Sequence, residues 1–543
     1  MNLFTKAFSL LLVSILESCA TSFNYQLKTI DSRYSNEKSR QYSNFKEPSN
    51  LDQLVDLGNE IIELIKGDTY NRTRYVNLAN SFFGSFVGVI DTIYIRRTEY
   101  YANGTDSYKQ KFQDIYSLYL ELSELRYKIL EESYHSEYRS ALFGDMSDED
   151  IEAILNRTYT DEEISEINRH FEDIANQAEE LYNTSSSSST YVDSMYNLFV
   201  EFKDVTLQFQ NKTGVQDYLA YKYSNGYSRD YTPEEIRPFY TAVKEKLVPA
   251  IDSYSMPSKD DFNDGERTYI NFFNSANFRY SQLNLIPAIE TYVKQLQPLN
   301  RSYNHLWSNG YYCFSDSVSS LGSAFTIGLN EPNEPLLYFS RNYQDCLTFI
   351  HEFGHYVDSY YNEDSSSVPM DISEIHSQGN ELLFASYLED NNPTNLSDRV
   401  LEYIVRDKVK DQATTVFAGA YVAEVEDYLL HNDISNKSET IAAIKNINQY
   451  YKDYINEKYC WAPMLSSSGY YISYATSSIG ALELYVNSKE DYQNALSQYE
   501  TILVGRDGEL SIKGIIEKAG LKPIYSAETV EYIADYLKNW KIV

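Results

Sequence analysis

The chain is poor in cysteine and in histidine, with four cysteines and seven histidines among 543 residues. No two cysteines form a CxxC pair, so the sequence predicts neither a disulfide framework nor a cysteine-based zinc knuckle. The body of the chain also lacks a run of about eighteen apolar residues, which argues against a membrane-spanning segment there. The cysteines are Cys19, Cys313, Cys346 and Cys460.

Positive charge is scarce as well, because 46 lysines and arginines face 79 aspartates and glutamates and leave a formal net charge of −33. Nucleic acid is therefore excluded as an expected partner, since phosphate binding needs a basic surface. The hydrophobic content of 43% is that of a globular protein.

The N-terminal sequence MNLFTKAFSLLLVSILESCATS has the layout of a secretory signal: an early lysine, an apolar run and small residues around Cys19. Its LESC tetrad resembles a bacterial lipobox, although Glu17 departs from that pattern. We predict a signal peptide with lipobox over 1–19, a polar tether over 20–48, and an extracytoplasmic protein, membrane-anchored through lipidated Cys19 or secreted. Ordinary cleavage near Ala20 and an uncleaved anchor stay open as alternatives.

Helical periodicity dominates the rest of the chain. Apolar stripes predict helices over about 51–67, 107–135 and 161–182, and strand signals are clearest at 323–329 and 335–340. We therefore predict a mainly α protein with an N-terminal helical region, 49–190, and a catalytic region, 191–543.

The segment QDCLTFIHEFGHYVDSYY contains the motif His-Glu-x-x-His. Asn342 is the predicted cap of a helix in which His351 and His355 lie one turn apart and point the same way. Two imidazoles at this spacing can bind one zinc ion, while Glu352 is rotated away and can act as a general base on a water molecule.

A catalytic zinc ion needs a third protein ligand and an open position. The downstream segment MDISEIHSQGNELL offers Glu374 as that ligand and Glu381, two helical turns later, as a carboxylate that orients a ligand histidine. Asp371 and His376 are competing ligand candidates.

Together, CLTFIHEFGHYVDSYY and ISEIHSQGNELL resemble the zinc metallopeptidases of the oligoendopeptidase F and thimet oligopeptidase family. The resemblance extends to LGSAFTIGL, PLLYFSRN, RDYTPEEIRPFYTAVKEKLVPAI, GYYISYATSSIGA and AGLKPIYSAETVEYIADYL, and covers roughly residues 190–543. It implies a two-lobed helical fold around a deep channel, with a small β-sheet next to the zinc helix.

The resemblance also implies endopeptidase action on short, unstructured peptides. Exposed edge groups of the LLYF strand would pair with the peptide backbone, with substrate contacts at Gly322, Ala324 and Leu337. In the tyrosine-rich segment, Tyr474 matches the family best as a donor to the oxyanion, Tyr471 follows, and Tyr470 is a third candidate that touches substrate.

One position departs from the family, which usually has a histidine where this chain has Met464. Methionine cannot donate a hydrogen bond to an oxyanion. The leading hypothesis is a zinc oligoendopeptidase, which the intact Glu352 favours. The alternative, favoured by Met464, is a catalytically impaired peptide-binding lipoprotein with a peptidase fold. A zincin that acts on folded proteins is a third, weaker interpretation.

Overall fold

The computed structural model describes Pro48 and residues 51–540, apart from 159–161, 187–189, 276, 280–282, 323, 331–332, 363–367, 395, 435 and 507. The predicted signal segment, Cys19 and all of the tether except Pro48 lie outside the described residues. The described residues are mostly helical, with strands in a single small sheet, which confirms the predicted mainly α class.

The chain folds into two compact units. The sheet unit comprises the described parts of Asn36–Ser165 and Asn309–Arg341, and the helix unit those of Glu166–Ser308 and Asn342–Val543. The segment that contains the strands thus belongs to the same unit as the N-terminal helices. The division into an N-terminal region, 49–190, and a catalytic region, 191–543, stays a prediction.

The sheet unit contains five helices and three strands within the described residues. They are α1 (Leu54–Lys66), α2 (Arg72–Asn103), α3 (Asp106–Tyr134), α4 (Arg139–Phe143), α5 (Asp148–Thr158), β1 (Tyr311–Phe314), β2 (Ala324–Leu329) and β3 (Glu334–Phe339). Helix α6 (Glu162–Ser185) begins just before the boundary of the helix unit.

The helix unit continues with helices up to the C-terminal region. They are α7 (Tyr191–Thr213), α8 (Tyr218–Tyr221), α9 (Arg237–Ala242), α10 (Val248–Asp252), α11 (Asp264–Ser275), α12 (Leu285–Val293), α13 (Gln297–Ser308), α14 (Cys346–Tyr361), α15 (Met370–Asn391), α16 (Asp398–His431), α17 (Lys437–Asn448), α18 (Trp461–Ser466), α19 (Ile472–Glu490), α20 (Tyr492–Leu503), α21 (Ile512–Lys518) and α22 (Ala527–Asn539). Short 3₁₀ and π turns flank some of them.

The sheet has the order β1-β3-β2, with β3 parallel to β1 and antiparallel to β2. Strand β1 was not predicted, and it pairs residue by residue with the LLYF stretch of β3. The prediction that LLYF offers edge groups to a peptide is therefore wrong, because β3 is the central strand and both of its sides are paired. Leu337 in particular lies opposite Tyr312 on one side and Thr326 on the other, and its side chain is fully buried.

The sheet packs against the C-terminal half of α2, where Ile95 and Tyr101 join Phe325, Leu336 and Tyr338 in one buried cluster. Among the described residues, α2 is the one helix long and apolar enough to cross a membrane, and half of its most apolar window is buried inside the fold. Core helices of soluble proteins and spanning helices share that length and composition.

Helix α14 begins later than the sequence predicted. Asp345, not Asn342, is its N-cap, because the carboxylate of Asp345 accepts hydrogen bonds from the backbone N–H (2.9 Å) and the hydroxyl (2.6 Å) of Thr348. A cap of this kind satisfies a backbone donor that the first turn leaves unpaired. Helix α15 follows after Pro369 and is buried on nearly every side from Asp371 to Leu388, while its last residues, Asp390 and Asn391, are exposed.

Candidate metal centre

Helix α14 presents the two motif histidines side by side. The ring centroids of His351 and His355 are 5.3 Å apart, as the one-turn spacing predicts. On other faces of the helix, Phe349 and Phe353 are fully buried and anchor α14 in the unit. The packing therefore fixes the direction in which the imidazoles point.

Glu374 approaches both imidazoles from α15. Its Oε2 atom lies 3.9 Å from Nε2 of His351 and 3.9 Å from Nε2 of His355, and ligand atoms of all three residues lie within 4.8 Å of one another. Zinc bonds to imidazole nitrogen and carboxylate oxygen are about 2.0–2.2 Å long, so atoms at this separation can share one ion. Two imidazoles and one carboxylate form a donor set that fits zinc and leaves a fourth position open.

The two ligand-bearing helices come this close because Gly354 has no side chain. A Cβ atom at Gly354 would lie 2.1 Å from the backbone oxygen of His376 on α15. One turn earlier, the side-chain amide of Asn380 donates a 2.8 Å hydrogen bond to the carbonyl of Ile350. This bond and the glycine set the spacing between α14 and α15.

Glu381 lies behind the ligand set and contacts His351. One carboxylate oxygen, Oε1, is 2.7 Å from Nδ1 of His351, and the other, Oε2, is 2.5 Å from Nζ of Lys408 on α16. Burial opposes ionisation of Glu381, but the charge of Lys408 and the hydrogen bond with His351 outweigh it and lower the pKa of Glu381. An ionised Glu381 favours the tautomer of His351 that carries hydrogen on Nδ1 and leaves Nε2 for a metal.

The two histidines differ electrostatically. Burial lowers the pKa of His351, but the hydrogen bond and charge of Glu381 outweigh it and raise that pKa to about 9. Burial, and then the charge of His351, keep the pKa of His355 well below its ordinary value. Burial raises the pKa of Glu374, and the charge of His351 partly offsets the effect.

Glu352, the predicted general base, is buried on α14, with 5% of the residue exposed. Its negative charge contributes to the raised pKa of His351, so it lies within electrostatic reach of the ligand set. It is not a member of the three-residue ligand group, as the sequence predicted for a base.

The tyrosine-rich segment brings the three predicted tyrosines into ring contact, and two of them share a hydrogen bond. The hydroxyl of Tyr474 donates a 2.9 Å hydrogen bond to the hydroxyl of Tyr470. Burial raises the pKa of both phenols, and the charge of Glu374 adds to the effect at both. Tyr470, the third candidate from sequence, is thus hydrogen-bonded to Tyr474, the first candidate.

Tyr471 packs against this pair and has a further neighbour. Its ring centroid lies 5.5 Å from that of Tyr474, 6.1 Å from that of Tyr470 and 6.4 Å from that of Tyr459. Burial raises its pKa, and the neighbouring charges that add to this effect are those of Tyr470, Tyr182 and Glu179. Tyr471 thus also contacts the 3₁₀ turn before α18, and its role as a catalytic tyrosine stays a prediction.

The two competing ligand candidates have other partners. Asp371 is fully buried and pairs with Arg229 (Nε to Oδ2, 3.0 Å), and it accepts hydrogen bonds from Tyr231, Ser473 and Thr476 at 2.5–2.7 Å. This arrangement ties the first turn of α15 to the tyrosine-rich segment.

His376 is also fully buried, with Nδ1 3.3 Å from the carboxylate of Asp358 and Nε2 3.3 Å from the carbonyl oxygen of Ile502. Neither His376 nor Asp371 belongs to the ligand group found among the described residues.

The remaining predicted site positions are in other segments of the chain than the ligand helices. Gly322 is exposed and Ala324 half-buried, both in the sheet unit, and they stay predicted substrate contacts. Met464 is fully buried in α18. Sequence reasoning did not identify Lys408 or Arg229, since a single lysine or arginine carries no motif, although Arg229 stands in a segment that resembles the family.

The comparisons with known proteins agree with this geometry. Residues 298–522 match the model described as Peptidase family M3, and this segment contains α14 and α15. An oligoendopeptidase F homolog of Borreliella burgdorferi is 27% identical over 236 residues, or 39% of this chain. Oligopeptidase PepF of Bacillus subtilis is 25% identical over 264 residues, or 44% of this chain. The aligned segments cover only 39% and 38% of those two relatives.

Solved structures share the fold over most of the chain. A Bacillus anthracis str. Ames protein described as an oligoendopeptidase F superposes with a TM-score of 0.58 at 15% identity, covering 93% of this chain and 98% of its own. PZ peptidase A with an inhibitor gives a TM-score of 0.60 at 14% identity, covering 92% and 98%. Over the matched segment, in the two relatives and in the common fold, this chain resembles the oligoendopeptidase F proteins of peptidase family M3.

Proposed function

We propose that this protein is a zinc-dependent oligoendopeptidase that hydrolyses short, unstructured peptides. The observation that carries the proposal is the position of Glu374 Oε2, equally distant from Nε2 of His351 and of His355. These three residues would hold one zinc ion. The peptide substrate class is supported by the family match and by the two relatives, which are named as oligopeptidases.

Zinc, when bound in such a site, polarises a carbonyl oxygen and lowers the pKa of a water molecule toward neutrality. Glu352 would take the proton from the attacking water and deliver it to the leaving nitrogen of the peptide bond. Its buried position on the ligand helix, within electrostatic reach of His351, supports this role, because a base must lie close to the proton that it moves.

The oxyanion that develops during attack needs hydrogen-bond donors from the protein. The pair of Tyr470 and Tyr474 would supply such a donor, with Tyr474 orienting the hydroxyl of Tyr470, because the two hydroxyls lie together and the charge of Glu374 reaches both. Loss of one such donor typically costs about 3 kcal/mol in the transition state. Met464 adds no donor, so the two tyrosines would have to suffice.

The decisive experiment combines metal analysis and peptide cleavage on the purified protein. We expect one zinc per chain, cleavage of internally quenched short peptides, loss of cleavage with a chelator and recovery when zinc is added back. Glu374→Ala should lose the metal, whereas Glu352→Gln should keep it and lose cleavage. Full activity of Glu352→Gln would contradict the proposed base, and zinc retention by Glu374→Ala would contradict the ligand set.

The second candidate function is that of a peptide-binding lipoprotein with impaired catalysis, and Met464 is the observation that favours it. This candidate predicts that short peptides bind the zinc-loaded protein and remain intact. Mass spectrometry of peptides incubated with the protein separates the two functions.

We also propose an extracytoplasmic location, supported by the signal-like sequence before Cys19. Cell fractionation and the mass of the N-terminal peptide test it. A lipid-modified Cys19 indicates a membrane anchor, and an unmodified new terminus near Ala20 indicates secretion.

A further inference from the structure

Lys408 contacts Glu381, the carboxylate that in turn contacts the proposed metal ligand His351. We propose that Lys408 is a positioning residue that strengthens metal binding by holding Glu381 against His351. The inference rests on the proposed metal centre and assigns a role to a residue on a third helix, α16, that no motif marks.

The three side chains form a continuous series across three consecutive helices. His351 on α14 contacts Oε1 of Glu381 on α15 at 2.7 Å, and Oε2 of the same carboxylate contacts Nζ of Lys408 at 2.5 Å. All three are largely buried, with 13%, 7% and 17% of their side chains exposed. Among the described residues, Lys408 is the one lysine or arginine that pairs with Glu381.

The geometry gives each carboxylate oxygen one partner. Lys408 fixes one oxygen of Glu381, so the other stays directed at Nδ1 of His351. A buried carboxylate without its cation is costly and changes either its position or its protonation state. Either change would remove the contact that holds the ring of His351 with its Nε2 atom beside Glu374.

Lys408 can affect zinc affinity in two opposite ways, so the direction of the measured change tests the proposal. A positive charge near the site repels a metal ion, so a purely electrostatic role predicts tighter binding when Lys408 is removed. A positioning role predicts weaker binding. The sign of the change in zinc affinity therefore separates the two.

The test measures the zinc dissociation constant of the full metal-free protein by competition with a chromophoric chelator. Lys408→Met should bind zinc about tenfold more weakly, at the lower end of the loss typical for outer partners of a metal ligand. Lys408→Arg, which keeps the charge and the donors, should restore most of the affinity. The absorption spectrum of the cobalt-loaded protein should change in Lys408→Met, because that spectrum reports ligand geometry.

Lys410→Met is the matched control, since it removes the same charge from the same helix and Lys410 forms no ion pair with Glu381 among the described residues. Its zinc affinity should match that of the wild type. Unchanged or tighter zinc binding by Lys408→Met overturns the proposal, as does an equal loss in Lys410→Met.

A double-mutant cycle tests the route through Glu381. In the background of Glu381→Gln, the further change Lys408→Met should cause no additional loss of zinc affinity, because its partner is absent. An additive second loss contradicts the proposed route. If Lys408→Met does not fold, Lys408→Gln is measured with the same expectations, and the thermal midpoint of each metal-free variant identifies a general loss of stability.

The affinity measurement distinguishes this inference from the proposed function. A wild-type protein that binds zinc and cleaves no peptide ends the peptidase proposal, while the order of affinities still decides the role of Lys408. A wild-type protein that binds no zinc overturns both.

Discussion

The hydroxyl of Tyr474 donates a hydrogen bond across 2.9 Å to the hydroxyl of Tyr470, four residues earlier in the chain. Tyr474 thus orients the hydroxyl of Tyr470. Because the charge of Glu374 reaches both phenols, the proposed function makes Tyr470 the donor to the developing oxyanion and Tyr474 the residue that would orient it.

We therefore expect Tyr470→Phe to lower kcat by about 10²–10³, the usual cost of one oxyanion donor. Tyr474→Phe removes only the orienting bond and should cost about tenfold. Tyr471→Phe is the control, since Tyr471 packs against Tyr459. Steady-state kinetics on one peptide give the three values, and a loss in Tyr471→Phe equal to that in Tyr470→Phe would refute the assignment.

Gly354→Ala should destabilise the protein strongly. The new Cβ would lie 2.1 Å from a backbone oxygen of α15, so the two ligand helices must separate. Overpacking against a backbone should cost at least about 3 kcal/mol of unfolding free energy, measured by urea denaturation. In Gly84→Ala, where no atom lies within 4 Å, higher helix propensity should instead stabilise by about 0.5–1 kcal/mol.

Asp371→Asn and Glu374→Gln change two carboxylates of the same helix and should have different effects, the first on stability and the second on zinc affinity. Asp371→Asn leaves Arg229 buried without its counter-ion, which costs about 3–5 kcal/mol of stability, but the folded protein should still bind one zinc. Glu374→Gln should lose zinc affinity with a smaller change in stability. Metal content and thermal midpoints of both variants check this, and metal loss in folded Asp371→Asn would return Asp371 to the ligand candidates.

His431 should make stability depend on pH. Its hydrogen bonds to Asp217 and then Asp427 raise its pKa to about 10, although burial opposes this. Since the folded pKa exceeds the unfolded value of about 6.5, the contribution is complete below pH 6.5 and disappears as pH rises toward 10. His431 is partly exposed, so we expect about 1–2 kcal/mol after allowance for solvent screening.

The measurement compares the unfolding free energy of the wild type and His431→Gln across that range. The difference should be largest near pH 6 and smallest near pH 10. Asp217→Asn, which removes one of the two carboxylates that contact the ring, should lose part of the same contribution. A difference that grows with rising pH would contradict the assignment.

Local physical rules allowed much of the site to be predicted. The spacing of His351 and His355 is a property of any α-helix, so their shared direction followed from the sequence. Glu374 and Glu381 lie two turns apart on one helix, and both face α14. The helical class, two of the three strands and the helices over 54–66, 106–134 and 162–185 followed from periodicity.

Other features depended on contacts between distant residues. Tyr470 and Tyr471 are adjacent in sequence, and the folded structure distinguishes them: Tyr470 accepts a hydrogen bond from Tyr474, whereas Tyr471 packs against Tyr459. Whether a strand lies at the edge or at the centre of a sheet depends on the order of the strands. Because the unpredicted β1 pairs with β3, the LLYF stretch lies in the central strand. The alternative ligands Asp371 and His376 instead contact residues 142 and 126 positions away, Arg229 and Ile502.

The sequence by itself determined which residue types could bind a metal, because helical spacing and donor chemistry are local. The tertiary structure decided which carboxylate reached the imidazoles, which tyrosines joined them and which lysine stood behind Glu381. Those choices depend on how buried helices pack, and the close approach at Gly354 and the pairing of buried charges are set by residues that the chain brings together only when it folds.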